Sequence, residues 1–121
     1  MKADLHNHSY YSDGVLSPTE VVKLASEAEC DLFSLTDHDT TDGIAEAQLE
    51  ADKLNLNLIN GVEISALWRN MAIHILGLGV DINNDILQTG LEHNQKLRQE
   101  RAEKIALGLW RSGIKDALEK T

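Results

Sequence analysis

Residues 32–39 read Leu-Phe-Ser-Leu-Thr-Asp-His-Asp, a short apolar run that ends in three ionisable side chains. A run of this length, bounded by polar residues, is typical of a buried strand. Helical apolar spacing leads up to it from a capping box at Ser17 and Glu20, and resumes after it over residues 44–54. We therefore predict a strand over residues 32–36 between two helices, which is the repeating unit of a parallel α/β sheet.

Three more predicted strands extend this pattern. They span residues 2–6, 57–62 and 71–78, and the last is apolar throughout except for His74, which indicates a strand covered on both faces. The order β-α-β-α-β-β-α predicts a mainly parallel sheet with covering helices. In such folds, ligands gather at the C-terminal ends of the strands.

The last part of the chain is predicted to be helical. Apolar residues recur at helical spacing from Asn83 and stop at Gly113, a typical residue just past a helix, and residues 114–120 favour a further short helix. The composition also becomes more charged there. We place a domain boundary between residues 1–95, the α/β part, and residues 96–121, the helical segment.

The composition is that of one small folded domain with a strongly acidic body. The 121 residues are 42% hydrophobic and carry a net charge of −9, and residues 1–95 hold 16 acidic but only 4 basic side chains. This body is a poor surface for a nucleic-acid backbone, so no stable DNA binding is expected, whereas it suits bound cations. No membrane helix or signal peptide is indicated, and the single cysteine, Cys30, fits a reducing cytoplasm.

Six side chains with metal-binding chemistry lie near predicted strand ends or inside the fourth strand. Each alone has an ordinary interpretation, such as a surface histidine or a hydrogen-bonded core histidine. Together they favour a cluster of imidazole and carboxylate ligands for more than one divalent ion, an arrangement that suits phosphoryl transfer. The six are His6, His8, Asp13, His38, Glu63 and His74.

Neighbouring residues carry weaker signals. Tyr10 is a candidate to stack on a base or to pack within its loop, and Arg69 is a candidate to reach a phosphate or to stay solvated. Asp37 and Asp39 fit either orientation of His38 or helix capping. For Asp42 we favour capping of the helix that follows.

The combined motifs resemble those of the PHP family, which joins polymerase and histidinol-phosphatase proteins. They are His6-x-His8, Asp13-Gly14, Thr36-Asp37-His38 and Gly61-Val62-Glu63. The resemblance is greatest to the stand-alone bacterial phosphoesterases, the group of 5′-3′ exoribonucleases and 3′,5′-nucleoside bisphosphate phosphatases, and it covers nearly all of residues 2–113. It implies an α/β fold, the N-terminal part of a distorted (β/α)7 TIM-like barrel, followed by the start of a helical insertion.

The resemblance also implies up to three divalent ions, Mn²⁺, Zn²⁺ or Fe²⁺, and assigns a ligand set to each. The first ion would be held by His6 and His8, the second by His74, and the third by Asp13 and His38. The catalytic Glu63 would bridge the first and second ions. The implied reaction is hydrolysis of nucleotide or short RNA phosphate esters by a metal-activated water, without a covalent enzyme intermediate.

The chain departs from the family pattern towards its end, because nothing there matches the further histidine and the Asp-x-His pair of the relatives. We therefore expect an N-terminal piece of a larger enzyme, with an open sheet edge that favours self-association. Two other functions stay open. One is a histidinol-phosphatase-like monoesterase, and the other is a non-catalytic metal-binding or structural module.

Overall fold

The computed structural model describes residues 1–111, which form a four-stranded mixed sheet with three helices. The elements are β1 (Ala3–Asp4), α1 (Pro18–Glu27), β2 (Leu32–Leu35), α2 (Ile44–Lys53), β3 (Asn57–Trp68), β4 (Met71–Leu78) and α3 (Asp85–Arg111). Their order is the one predicted. The predicted helix stop at Gly113 and the short helix over residues 114–120 lie outside the described residues.

The strands lie side by side in chain order, and the first three are parallel. In the register of β2 and β3, Leu32 lies opposite Asn57 and Leu35 lies opposite Asn60. The ladder continues past β2 as an isolated parallel bridge between His38 and Glu63. The residues that follow β1 and β2 therefore meet the middle of β3 at one edge of the sheet.

The two short helices cover β2 and form the core with it. Helix α1 starts with the predicted capping box, in which the Ser17 side chain accepts from the Glu20 amide and the Glu20 side chain accepts from the Ser17 amide. Phe33 is fully buried at the centre of the cluster. The cluster consists of Val22, Ala25, Phe33, Leu35, Ala47, Ala51 and Leu56.

The prediction that Asp42 caps α2 was wrong. The residue before α2 is Gly43, and no side chain makes a capping hydrogen bond there. Gly43 packs so closely that an added Cβ would lie 3.0 Å from the Pro18 side chain. Because Gly43 occupies the capping position, Asp42 lies one residue too early to cap α2. The Asp42 amide instead donates to Thr40 Oγ1 at 3.1 Å.

The prediction that the fourth strand is covered on both faces was also wrong for the described residues. Strand β4 is antiparallel to β3 at the sheet edge and mostly exposed, and the His74 side chain is 49% exposed. The antiparallel pairing results from a two-residue turn, Arg69-Asn70, which brings β4 back beside β3. The positive φ angles of these residues, 49° and 64°, fit a tight hairpin. Pairing with β4 also carries β3 beyond its predicted end at residue 62, so Glu63 lies inside the strand.

Candidate metal centre

The six predicted ligands come from four separate segments and converge beside Glu63. His6, His8 and Asp13 lie in the loop between β1 and α1, His38 follows β2, Glu63 lies on β3 and His74 on β4. They form three overlapping groups, in each of which the ligand atoms lie within 4.8 Å of one another. The groups are His6–His8–Glu63, His8–Asp13–His38 and His38–Glu63–His74.

Glu63 is the centre of the cluster and is 5% exposed. Its carboxylate accepts hydrogen bonds from His6 Nε2 and, at 2.6 Å, from His74 Nδ1. It also lies 3.2 Å from His8 Nε2 and 3.2 Å from His38 Nδ1. Burial alone would raise the pKa of Glu63, but the imidazole hydrogen bonds and nearby positive charge lower it below its ordinary value.

Asp13 closes the second group from the solvent side. Its Oδ1 lies 3.3 Å from His8 Nδ1, and its Oδ2 lies 3.1 Å from His38 Nε2. The His8 and His38 rings are stacked with their centroids 4.5 Å apart. Each of these two histidines therefore presents one ring nitrogen towards Glu63 and the other towards Asp13.

Two observations fit this cluster to divalent metal ions. His38 Nδ1 is buried and makes no hydrogen bond within residues 1–111, although a buried nitrogen of this kind normally has a partner. The four contacts between His8 or His38 and the carboxylates of Asp13 and Glu63 span 3.1 to 3.3 Å. Two ligand atoms on one tetrahedral ion, each bonded at about 2.0–2.2 Å, are separated by about 3.3–3.6 Å, so these contacts lie at or just below the lower end of that range.

Two glycines are needed for this convergence. A Cβ on Gly14 would lie 2.6 Å from the His8 carbonyl oxygen, so only glycine lets the Asp13 loop fold back on the histidine pair. A Cβ on Gly61 would lie 2.7 Å from Thr36 Cγ2, so glycine lets β2 and β3 approach just before Glu63. Both glycines belong to the motifs singled out in the sequence.

A family model described as the PHP domain matches residues 4–107 of the chain. The chain belongs to the PHP family. The resemblance inferred from the sequence motifs is thereby confirmed, and so is the α/β, partial-barrel fold class.

The chain is similar to enzymes of named activity and to a protein of known structure. The 5′-3′ exoribonuclease of Haemophilus influenzae is 43% identical over 118 residues, which cover 98% of this chain and 43% of the relative. The 3′,5′-nucleoside bisphosphate phosphatase of Chromobacterium violaceum is 43% identical over 111 residues, which cover 92% of this chain and 39% of the relative. A solved amidohydrolase from Chromobacterium violaceum with bound sulfate matches with a TM-score of 0.88 and 42% identity, over 94% of this chain and 40% of that one. The chain thus spans about two fifths of the length of these relatives.

In this PHP domain, Asp37 holds the loop that carries His8 and Asp13. Its carboxylate is buried and accepts from the Ser9 amide at 2.6 Å and the Ser9 hydroxyl at 2.7 Å. It also accepts from the Ser12 hydroxyl at 2.7 Å. The sequence left two roles open for Asp37, orientation of His38 and helix capping. The structure shows neither of these roles, because Asp37 orients the loop that carries His8 and Asp13.

Asp39 is the second buried carboxylate next to His38, and its partners lie on β3 and α3 instead of the Asp13 loop. It accepts from the Ser65 amide at 2.8 Å and the Ser65 hydroxyl at 2.6 Å. From helix α3, Arg98 Nε donates to it at 2.7 Å and Asn94 Nδ2 at 3.0 Å. Burial alone would raise the pKa of Asp39, but the hydrogen bonds from Ser65 and α3 hold it below its ordinary value.

Sequence reasoning missed Asn94 and Arg98 altogether. They lie more than 50 residues from Asp39 along the chain. Their spacing of four residues, which puts both on one face of a helix, was the only local signal.

The two candidate substrate contacts do not join the cluster. The Arg69 guanidinium lies 4.4 Å from the ring centre of Trp68, at the hairpin turn. The Tyr10 ring is 55% exposed, and the charge of Glu46 is the main cause that raises its pKa. Substrate binding by Arg69 or Tyr10 stays a prediction.

Among the helices within residues 1–111, none has both the length and the apolar character that a membrane crossing requires.

Proposed function

We propose that this PHP domain is the N-terminal part of a metal-dependent phosphoesterase that acts on nucleotide or short RNA phosphate esters. The observation that carries the proposal is the convergence of six imidazole and carboxylate ligands in three groups around Glu63. Two relatives are named a 5′-3′ exoribonuclease and a 3′,5′-nucleoside bisphosphate phosphatase, which supports this class of substrate.

The residues of the three groups would hold the ions, with Glu63 shared by two of them. Divalent ions in such sites lower the pKa of water and neutralise phosphate charge. Burial does not neutralise Glu63, because its hydrogen bonds to imidazoles lower its pKa, so this residue offers a carboxylate to cations. Imidazole with carboxylate suits Mn²⁺, Zn²⁺ or Fe²⁺, the ions expected from the family.

The exposure of the cluster supports access by a phosphate ester. The side chains of His6, Asp13 and His74 are 58%, 64% and 49% exposed, whereas Glu63 beneath them is buried. With a net charge of −9 the chain repels free phosphate. Substrate attraction at this edge therefore depends on the bound cations.

The test is Mn²⁺-dependent release of mononucleotides from a short 5′-phosphorylated RNA. It compares this chain, a version extended through the family's C-terminal motifs, and Glu63→Gln in each. We expect release by the extended version and loss in Glu63→Gln, which removes one carboxylate charge from two metal groups. A lack of divalent metal binding, or unchanged hydrolysis in Glu63→Gln, would overturn the proposal.

The same experiment, run with a substrate panel, separates the other two functions. A strong preference for histidinol phosphate over 3′,5′-bisphosphonucleotides would favour the monoesterase. Metal binding without turnover of any phosphate ester by either version would favour the non-catalytic module.

We further propose self-association through the open edge of β4. Its outer side is unpaired within residues 1–111, and its apolar side chains Met71, Ile75 and Leu78 are exposed. Sedimentation velocity of Ile75→Lys should show less association than the parent chain. The matched control is Leu49→Lys, at an exposed leucine of α2, and equal effects of the two would contradict an edge-specific contact.

Two other expectations from the sequence stay predictions. One is the domain boundary after residue 95, which α3 crosses without a break. The other is a cytoplasmic location.

A further inference from the structure

The backbone on both sides of His8 is bonded to the two residues that follow β2. Before it, the Asn7 amide donates to Thr36 Oγ1 at 3.1 Å, and the Thr36 amide donates to the Asn7 carbonyl oxygen at 2.8 Å. After it, the amide and the hydroxyl of Ser9 both donate to the Asp37 carboxylate. Because the backbone is held on both sides, the state of the His8 ring depends on the contacts of its two nitrogens.

The Asp37 carboxylate sets the direction of the protons around it. It is 2% exposed and accepts from the hydroxyls of Ser9 and Ser12 at 2.7 Å each. An ionised carboxylate only accepts, so both hydroxyls give it their protons. The Ser9 oxygen accordingly accepts one more hydrogen bond, from the Tyr11 amide at 3.2 Å. The single proton of the Ser12 hydroxyl is therefore committed to Asp37.

The Ser12 oxygen also faces the His8 ring, and only its lone pairs are free on that side. It lies 3.4 Å from His8 Nδ1. A second acceptor, Asp13 Oδ1, lies 3.3 Å from the same nitrogen. Asp13 is 64% exposed and is itself a candidate ligand, so water and an ion both compete for it. Ser12, held by buried Asp37, is the acceptor that stays at Nδ1 when ions are bound.

The other nitrogen of the His8 ring faces the centre of the cluster. His8 Nε2 lies 3.2 Å from Glu63 Oε1, an oxygen that already accepts from His6 Nε2. Two acceptors thus lie near Nδ1, whereas the one near Nε2 is engaged. A histidine that binds a metal almost always donates its other ring N–H to an acceptor, and this bond fixes which nitrogen holds the ion. The arrangement makes Nε2 the ligand atom of His8.

We propose that Asp37 and Ser12 are positioning residues for His8. By keeping an acceptor at Nδ1, they hold the ring proton there and direct Nε2 to the ion of the group His6–His8–Glu63. Of the two groups that contain His8, the one with Asp13 and His38 then lacks this ring as a ligand. The inference rests on the proposed function in so far as the cluster binds divalent metals.

The test loads this chain with Zn²⁺ and reads the His8 ring by ¹⁵N NMR, which distinguishes a nitrogen bound to metal from one bound to hydrogen. Equilibrium dialysis gives the affinity of the ions, and thermal unfolding of the metal-free chain monitors the fold. We expect the parent to bind Zn²⁺ through His8 Nε2. Ser12→Ala removes the acceptor but leaves both bonds between Ser9 and Asp37. It should weaken the ion that His8 holds by about 10- to 100-fold, the usual effect of losing such a partner, and let part of the chains bind through Nδ1.

Two matched variants control for the substitution itself. Ser12→Thr keeps the hydroxyl and should keep both the parent affinity and the Nε2 ligand. Ser26→Ala makes the same change as Ser12→Ala near the C-terminal end of α1, and should bind Zn²⁺ as the parent does.

Asp37→Asn tests whether Asp37 acts on His8 through Ser12. The new amide can donate to the Ser12 oxygen, which frees the hydroxyl proton to point at His8 Nδ1. This variant should therefore lose more of the Nε2-bound form than Ser12→Ala does. Added to Ser12→Ala, it should not change the ligating nitrogen any further. Should Asp37→Asn fail to fold, Ser12→Ala and Ser12→Thr still decide the role of the acceptor.

The outcomes separate this inference from the proposed function. If the parent chain binds no divalent metal, both are overturned. If it binds Zn²⁺ through His8 Nδ1, only the positioning role is overturned. The same holds if Ser12→Ala lowers the melting temperature but keeps the ligating nitrogen and the affinity of the parent, because Ser12 would then serve the loop alone.

Discussion

Strands β2 and β4 are both apolar runs, yet the first is buried and the second is mostly exposed. Helices on either side of β2 in the chain, α1 and α2, pack against it and enclose Phe33. Strand β4 follows β3 through a two-residue turn, so no helix separates the two strands. An apolar strand is thus covered here only where the adjoining chain supplies a helix to cover it.

The same difference divides the metal cluster. On the β2 side, His8 and Asp13 belong to a loop that is held by the buried carboxylate of Asp37. On the β4 side, His74 lies on an exposed edge strand, where it is held by its pairing with Ser65 of β3 and its hydrogen bond to Glu63. We therefore expect the two halves of the site to differ in rigidity, with the β4 half the more easily disturbed.

The largest expected effect compares truncations in the two strands. Phe33→Ala should lower the free energy of unfolding by about 3–5 kcal/mol, because it leaves a cavity in the core. Ile75→Ala, at a side chain that is 49% exposed, should cost less than about 1 kcal/mol. Urea unfolding followed by circular dichroism measures both. Similar losses in the two variants would mean that β4 is covered in solution.

An intermediate effect is expected from metal binding. A single Mn²⁺ site at a hundredfold excess over its Kd stabilises the folded chain by about 2.7 kcal/mol. Because His74 belongs to the less supported strand, metal should also narrow the difference in amide hydrogen exchange between β4 and β2. The control is Glu63→Gln, in which both effects should shrink. An unchanged difference between the strands on metal addition would argue against a flexible β4 half.

The smallest changes in the free energy of unfolding are expected at the residue that caps α1 and in the turn that precedes β4. Ser17→Ala removes the side chain that caps α1 on the covered side, and should lower the free energy of unfolding by about 1 kcal/mol. Asn70→Gly in the hairpin turn should change it by less than about 0.5 kcal/mol, because φ at this position is 64° and glycine is favoured there. A larger loss in Asn70→Gly than in Ser17→Ala would show that the Asn70 side chain has a role beyond the turn.

Much of the fold was predictable because its signals are local. The capping box at Ser17 and Glu20, the apolar run of β2 and the limits of β4 each depend on neighbours within a few residues. The candidate ligands were predictable for a related reason. Parallel strands bring their C-terminal ends to one edge, so polar residues that follow successive strands are expected to meet.

The contacts of the buried carboxylates were not predictable in this way. The sequence alone left Asp37 and Asp39 between two interpretations, and the structure shows a third, in which each is hydrogen-bonded to a different distant segment. The partners of Asp39 on α3 are more than 50 residues away, and no local pattern pairs a carboxylate with a helix at that distance.

The sequence by itself therefore determined the order of helices and strands, the family, and the set of candidate metal ligands, because each follows from short-range patterns and motifs. Only the tertiary structure decided that β4 is an exposed edge and that α3 docks on Asp39 and Ser65. Both depend on which surfaces remain uncovered once the local elements have packed. Burial and hydrogen-bond partners are properties of that packing, and an isolated stretch of sequence does not specify them.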